Sequence, residues 1–222
     1  MNAVLIIGAS RGIGLELVRQ YLAEGRRVIA TARDDAGVAR LKAVGAEVLR
    51  VDVSDPASVS GLAWQLDGEK LDVALYVAGV MDRASATTPP TREAFDRVMH
   101  TNVLGAMQVI PQVLPMVEAA QGVFGVLSSS MSQIASVPAS NAWLYRVSKA
   151  ALNMALSSAR FDYPAARLVA LDPGWVQTDM GGAAAPVSLE DSVSGLRKVI
   201  AHLTPVDNGR LLHFDGRRAD HW

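Results

Sequence analysis

Tyr145 and Lys149 stand four residues apart in an apolar-rich stretch, Tyr145-Arg146-Val147-Ser148-Lys149-Ala150-Ala151-Leu152-Asn153, that reads as a helix. At that spacing the two side chains share one helical face. An ammonium beside a phenol favours the phenolate. The tyrosine is therefore expected to titrate below the ordinary value of about 10 and to exchange a proton with a substrate. An aromatic–cation pair at helical spacing is also a common surface feature, so the pair gains meaning only from the residues around it. Lys42, Lys70, Lys149 and Lys198 are the only lysines among 21 basic residues, which makes this placement less of a coincidence.

A second pattern is Gly8-Ala9-Ser10-Arg11-Gly12-Ile13-Gly14, directly after an apolar run and opening a helical one. Glycines let a backbone turn sharply and approach a pyrophosphate. The following helix N-terminus offers free N–H groups and the positive end of its dipole. An ordinary strand-to-helix turn also uses glycine, but the strand–turn–helix context favours a dinucleotide.

Both patterns need elements to hold them, and the chain supplies an alternation. Short β-rich apolar runs at 3–7, 27–31, 47–51, 72–77, 123–128, 168–171 and 210–214 are separated by helical stretches of about 10 to 25 residues. That is the length a right-handed crossover between parallel strands requires. The expected fold is α/β, a doubly wound, parallel, seven-stranded sheet of the Rossmann type with helices on both faces. Residues 1–222 are expected to form one dinucleotide-binding and catalytic domain. Gly25 ends the first helix, Asp55 and Pro56 start another, and Thr91 and Ser188 precede acidic first turns. Pro111 and Pro115 complicate the fourth helical stretch. Thr88-Pro89-Pro90 and residues 181–186 read as surface loops.

Composition narrows the function. Half the residues are hydrophobic, 19% are charged and the net charge is −1, which gives no basic field for nucleic acid or an anionic membrane. Without cysteine there is no disulfide framework and no thiolate chemistry. His100, His202, His213 and His221 are scattered, so no metal site is expected. The apolar run at 3–7 is far short of the roughly 20 residues of a membrane span, and a cytoplasmic location is the simplest assignment.

Taken together, Gly8-x-x-x-Gly12-x-Gly14 and Tyr145-x-x-x-Lys149 resemble the short-chain dehydrogenase/reductase family. The resemblance extends to Asp52-Val53, Ala78-Gly79, Thr101-Asn102-Val103, Ser128-Ser129 and Pro173-Gly174. Arg146, the run Pro173-Gly174-Trp175-Val176-Gln177-Thr178-Asp179-Met180 and Trp222 are similar to the C-factor and sniffer-type carbonyl reductase branch. The resemblance implies an oxidoreductase moving a hydride between a nicotinamide cofactor and a carbonyl or alcohol. In it Tyr145 is the general acid or base, Lys149 supports Tyr145 and binds ribose hydroxyls, and Asn102 serves a proton relay. A serine hydroxyl would meet the substrate oxygen. The commonest family spacing points to Ser132, whereas Ser129 fits the longer loop of this branch. Ser129 is preferred, with Ser130 and Ser132 as alternatives. Gly8, Ser10, Arg11, Gly12, Ile13, Gly14, Arg33, Asp52, Val53, Ala78, Gly79, Tyr145, Lys149, Pro173, Gly174, Val176 and Thr178 are the implied cofactor contacts. The family usually has asparagine where this chain has Val77, a change that apolar packing can absorb.

Where NAD-preferring members carry an acidic residue after the second strand, this chain has Ala32 followed by Arg33, with Arg11 in the glycine turn. Two guanidiniums suit a 2′-phosphate, so NADP(H) is favoured over NAD(H), with Asp34 and Asp35 as the opposing signal. The segment 175–187 is short and implies a small or open lid. A modest, apolar carbonyl compound is expected, with Trp143, Met180 and Met131 as candidate pocket residues. The resemblance also implies a homodimer or homotetramer. The rival reading is a nucleotide-binding regulatory or signalling protein with little turnover.

Overall fold

The computed structural model describes residues 3–222. Its strands are β1 (Ala3–Ile7), β2 (Val28–Ala32), β3 (Glu47–Arg50), β4 (Leu71–Tyr76), β5 (Val123–Leu127), β6 (Arg167–Asp172) and β7 (Leu211–His213). They form one parallel sheet in the order β3-β2-β1-β4-β5-β6-β7, the doubly wound arrangement expected from the alternation. Every residue of β1 and β2 is buried, because helices cover both faces of the sheet.

The pleat divides β1 between two cores. Leu5 and Ile7 join Tyr76, Phe124 and Leu168 on one face, under α3 (Pro56–Ser60), α4 (Leu62–Gln65), α6 (Gly105–Ala119) and α7 (Trp143–Ala159). Val4 and Ile6 join Leu75 and Leu171 on the other, under α1 (Gly12–Ala23), α2 (Asp35–Ala43) and α8 (Leu189–Ala201). Phe124 is wholly buried, so Phe124→Ala is expected to lower unfolding free energy by about 3–5 kcal/mol, read from the urea midpoint. Val77 packs against the second core and its N–H donates to the Ile7 carbonyl at 2.9 Å, so apolar packing does fill that place.

Strand ends differ from expectation by one residue or so. β2 begins at Val28 rather than at Arg27, whose guanidinium pairs with Glu47 and Glu69. The helix starts are as expected: Asp55, Thr91 and Ser188 each accept a hydrogen bond from the first turn they precede, the latter two opening α5 (Arg92–Met99) and α8. Gly25 follows α1 at φ +74°. Two crossovers differ more. Between β3 and β4 the expected single helix is two short ones, α3 and α4, broken at Gly61. Between α5 and α6 the chain makes a π-helical turn, His100–Leu104. Pro111 and Pro115 do not break α6; they lie one turn apart on its exposed stripe, so the carbonyls they leave unbonded lie on the solvent side.

Candidate active site

The carboxyl ends of the parallel strands carry the sequence-predicted residues along one edge. Gly8, after β1, has φ +83°, and a Cβ there would sit 2.6 Å from the Ala78 nitrogen after β4. Glycine is therefore required both by conformation and by space. At Gly14 a Cβ would meet the Gly8 carbonyl oxygen at 2.5 Å, so this glycine lets α1 begin tight against the turn. No side chain caps the N-terminus of α1, whose first N–H groups open onto the groove above the sheet. Thr178, after β6, is the nearest neighbour to Gly12 across that groove. A cradle that side chains would fill, with an uncapped helix end at its floor, fits a dinucleotide pyrophosphate.

At one end of the groove, Ala32, Ser10 and Gly37 converge, with the Ser10 and Ala32 Cβ atoms within 2.9 Å of a Cβ built on Gly37. Arg33 is largely exposed there. Burial would raise the Asp52 carboxyl, but the Ser54 hydrogen bonds hold it below its ordinary range, and the Arg33 charge adds to them. Asp34 is occupied as the cap of α2, accepting from the Gly37 N–H at 2.8 Å, and Asp35 pairs with Arg50. The second oxygen of Asp34 also lies 3.8 Å from the Arg33 guanidinium. Arg40 donates to the Ser10 carbonyl at 2.6 Å and brings a further guanidinium to the same place. Sequence reasoning passes over Arg40, although it lies two helical turns beyond Arg33. Arg11 reaches across the groove to Asp179 at 3.6 Å.

The other end holds the acid–base residues. Asn102 sits within the π-turn, fully buried, and clamps the backbone after β4: it accepts from the Val80 N–H and donates to the Val80 carbonyl, both at 2.8 Å. A π-turn widens the helix by one residue and aims that side chain sideways. Asn102 also donates to Ser148 Oγ at 2.9 Å, and Ser148 donates to the Tyr145 carbonyl at 2.7 Å, tying the turn to α7. Gly79 packs against Asn102 and Lys149, with the Lys149 Nζ 3.4 Å from where its Cβ would be. Of the candidate serines, Ser130 is exposed, while Ser128 and Ser132 are buried and bonded to Asn153. Ser129, whose Oγ accepts from the Met131 N–H at 3.1 Å, is the candidate serine that acts on the Tyr145 phenol, drawing its titration down against burial.

One electrostatic expectation is corrected. Tyr145 titrates above its ordinary range, not below it: burial raises it most, the Asp172 carboxylate adds to this, and the Ser129 hydrogen bond opposes them. Tyr145 is only 6% exposed, so desolvation dominates its titration. Lys149 is itself pushed down by burial, from 10.5 to about 8, and its Nζ donates to the Leu127 carbonyl at 2.6 Å rather than to the phenol. The ammonium lies 5.6 Å from the phenol ring centre. At neutral pH the geometry holds a protonated phenol beside a serine hydroxyl and an ammonium.

Beyond β6, Pro173 and Gly174 lead into the lid. Gln177 and Val187 pair across its base, Trp175 Nε1 donates to the Gly181 carbonyl at 2.8 Å, and Arg83 donates to the Met180 carbonyl. The segment is a compact, braced loop; Met180, Met131 and Trp143 are each half-buried. Asp172, at the end of β6, accepts from the Gly174 N–H at 3.1 Å and pairs with His213 Nδ1 at 2.8 Å. No local pattern announces this pair, since its members lie 41 residues apart. The Asp172 hydrogen bond raises His213 above its ordinary value of about 6.5. Its contribution to stability is full below that ordinary value and lost as pH rises through the raised one. His213→Gln is expected to cost roughly 1–3 kcal/mol at pH 5.5, and thermal denaturation should show the gap to wild type narrowing as the pH rises into the alkaline range. Among the described residues no group of histidines and carboxylates could hold a metal, and no helix is long and apolar enough to cross a membrane.

The short chain dehydrogenase family model matches residues 2–187. The chain belongs to the short-chain dehydrogenase/reductase family. It is 34% identical over 227 residues to the 1-hydroxy-2-glutathionyl-2-methyl-3-butene dehydrogenase of Rhodococcus sp. (strain AD45), covering 97% of this chain and 98% of that one. The carbonyl reductase Sniffer of D. melanogaster is 27% identical, with a TM-score of 0.90 and full coverage of both chains. A short-chain dehydrogenase/reductase from Burkholderia multivorans with bound NADP is 28% identical, with a TM-score of 0.88 and coverage of 100% and 99%. This short-chain dehydrogenase is thus an oxidoreductase of a family that uses a nicotinamide dinucleotide, on the C-factor and sniffer-like branch.

Proposed function

We propose that this short-chain dehydrogenase is an NADP(H)-dependent carbonyl reductase, with Tyr145 as the proton donor. The observation that carries the reading is Tyr145 buried on α7 one helical turn from Lys149, whose Nζ lies 5.6 Å from the phenol ring centre, at the same sheet edge as Ser129 and the glycine cradle. A phenol kept protonated by burial is a competent acid throughout the neutral range. It gives its proton to the substrate oxygen, and the Ser129 hydroxyl stabilises the negative charge developing there. When bound, the nicotinamide supplies the hydride, or accepts it in alcohol oxidation. Lys149 binds ribose hydroxyls, supports the Tyr145 phenol, and connects through the Asn102 region to solvent.

The turn from Gly8 through Ser10, Arg11, Gly12 and Ile13 to Gly14 holds the pyrophosphate. Asp52, Val53, Ala78, Gly79, Pro173, Gly174, Val176 and Thr178 line the rest of the groove. Arg33 and Arg11 meet the 2′-phosphate, with Arg40 beside them. Arg33→Ala is expected to weaken NADPH binding about tenfold or more while leaving NADH nearly unchanged, measured by fluorescence titration. Equal losses for both cofactors would remove the NADP preference.

The relative acting on a glutathionyl alcohol and the carbonyl reductase neighbours support a small carbonyl or alcohol substrate. Exposed Met107 on α6 and Val147 and Met154 on α7 support association into a homodimer or homotetramer, which light scattering tests. The deciding experiment titrates NADPH and NADH into the purified protein and then assays a carbonyl panel. Tight NADPH binding with turnover supports the reductase. Binding without turnover across the panel favours a nucleotide-binding regulator, and absence of binding defeats both readings.

A further inference from the structure

Asn153 lies four residues beyond Lys149 and eight beyond Tyr145, on the same face of α7, and is 3% exposed. Its side chain bridges two serines on the segment that follows β5. Ser128 Oγ and Asn153 Oδ1 are 2.6 Å apart, Asn153 Nδ2 and Ser132 Oγ 2.8 Å, and Ser132 Oγ and the Ser129 carbonyl oxygen 2.6 Å.

The chemistry of these groups fixes the direction of every bond. A carbonyl oxygen only accepts, so the single proton of Ser132 goes to Ser129. Ser132 Oγ must then accept from Asn153, which places the amide nitrogen on that side and the amide oxygen toward Ser128. Ser128 in turn donates to that oxygen. No member is left with a choice, and Ser128, Ser132 and Asn153 are all buried. Such a satisfied buried chain holds one geometry. What it holds is the backbone of Ser129, extended at φ −167° and ψ 150°, whose Oγ accepts from the Met131 N–H at 3.1 Å. The Ser129 proton is left for the phenol or a substrate oxygen.

We propose that Asn153 is a positioning residue: through Ser132 it fixes the Ser129 backbone and so holds the Ser129 hydroxyl toward Tyr145. Its importance for turnover rests on the reductase reading, but its geometric content does not. The side chain touches neither phenol nor substrate, and its effect passes through Ser132 and Ser129.

The test labels tyrosine at Cζ with carbon-13. The chain has four tyrosines, and Tyr145→Phe assigns the signal of Tyr145, which reports hydrogen bonding to the phenol oxygen. Ser129→Ala and Asn153→Ala are each expected to move that signal, and Ser129→Ala/Asn153→Ala to move it no further than Ser129→Ala alone. Ser132→Ala, which deletes one oxygen, tests the same bridge should Asn153→Ala fail to fold. NADPH affinity should stay within about twofold, while turnover of a panel carbonyl falls about 10- to 100-fold, the scale of a small misplacement at a reacting centre. An unmoved Tyr145 signal in Asn153→Ala or Ser132→Ala, or shifts that simply add in the double variant, overturns the proposal. Failure of the wild type to turn over any carbonyl defeats the reductase reading and leaves the spectroscopic result to decide the bridge.

Discussion

Tyr145→Phe is expected to bind NADPH as tightly as the wild type and to lose about three orders of magnitude in turnover, the middle of the range for a positioned general acid. The substitution removes one oxygen and keeps the ring, which is buried at the start of α7 between the π-turn and the end of β5. Packing is therefore preserved, and thermal stability should change little. Ser129 acts on the titration of the same phenol, so the variant deletes the proton donor and leaves Ser129 to meet the substrate oxygen alone. A residual rate above solution chemistry is expected from that serine and from binding. Single-turnover assays with bound NADPH separate the outcomes. Intact binding with lost hydride transfer establishes Tyr145 as the acid, and full activity in the variant assigns the proton to another group.

Much of this site is legible in the order of the residues, and the parts that are not share a cause. Alternating apolar runs and helical stretches locate every strand to within a residue or two, and most plainly the inner strands, which are buried on both faces and so continuously apolar. The glycine turn and the Tyr145–Lys149 spacing are visible because each is local. The π-turn at Asn102 is not, since its widening is stabilised by hydrogen bonds to Val80, 22 residues away. Nor does spacing show which serine hydroxyls the fold already engages, as Asn153 engages Ser128 and Ser132. The direction in which Tyr145 is perturbed escapes the sequence for the same reason. A sequence shows that an ammonium lies one helical turn away, but not that both groups are buried, and burial is the larger effect here. Asp172 and His213, joined only when β6 and β7 pair, belong to the same class.

Lys149→Met is expected to give a protein that is more stable than the wild type at neutral pH and nearly inactive. Burial lowers Lys149 from 10.5 to about 8, so at pH 7 the native state carries an ammonium that is disfavoured relative to the unfolded chain. Between those two values the unfolded state binds more protons than the native one, and stability rises with pH across that window. The full shift corresponds to about 3 kcal/mol, from which the lost hydrogen bond to the Leu127 carbonyl subtracts about 1 kcal/mol. The variant should therefore gain roughly 2 kcal/mol at pH 7, a gain that shrinks above pH 8 and reverses before about pH 10.5, as read from urea unfolding at a series of pH values. In the wild type the same titration predicts that kcat/KM for carbonyl reduction falls above about pH 8, as the free enzyme loses the Lys149 proton. A variant no more stable at pH 7 would mean that the ammonium is better solvated than its burial implies. A stabilised but inactive variant would show that this fold holds a buried charge at the expense of stability because turnover requires it there.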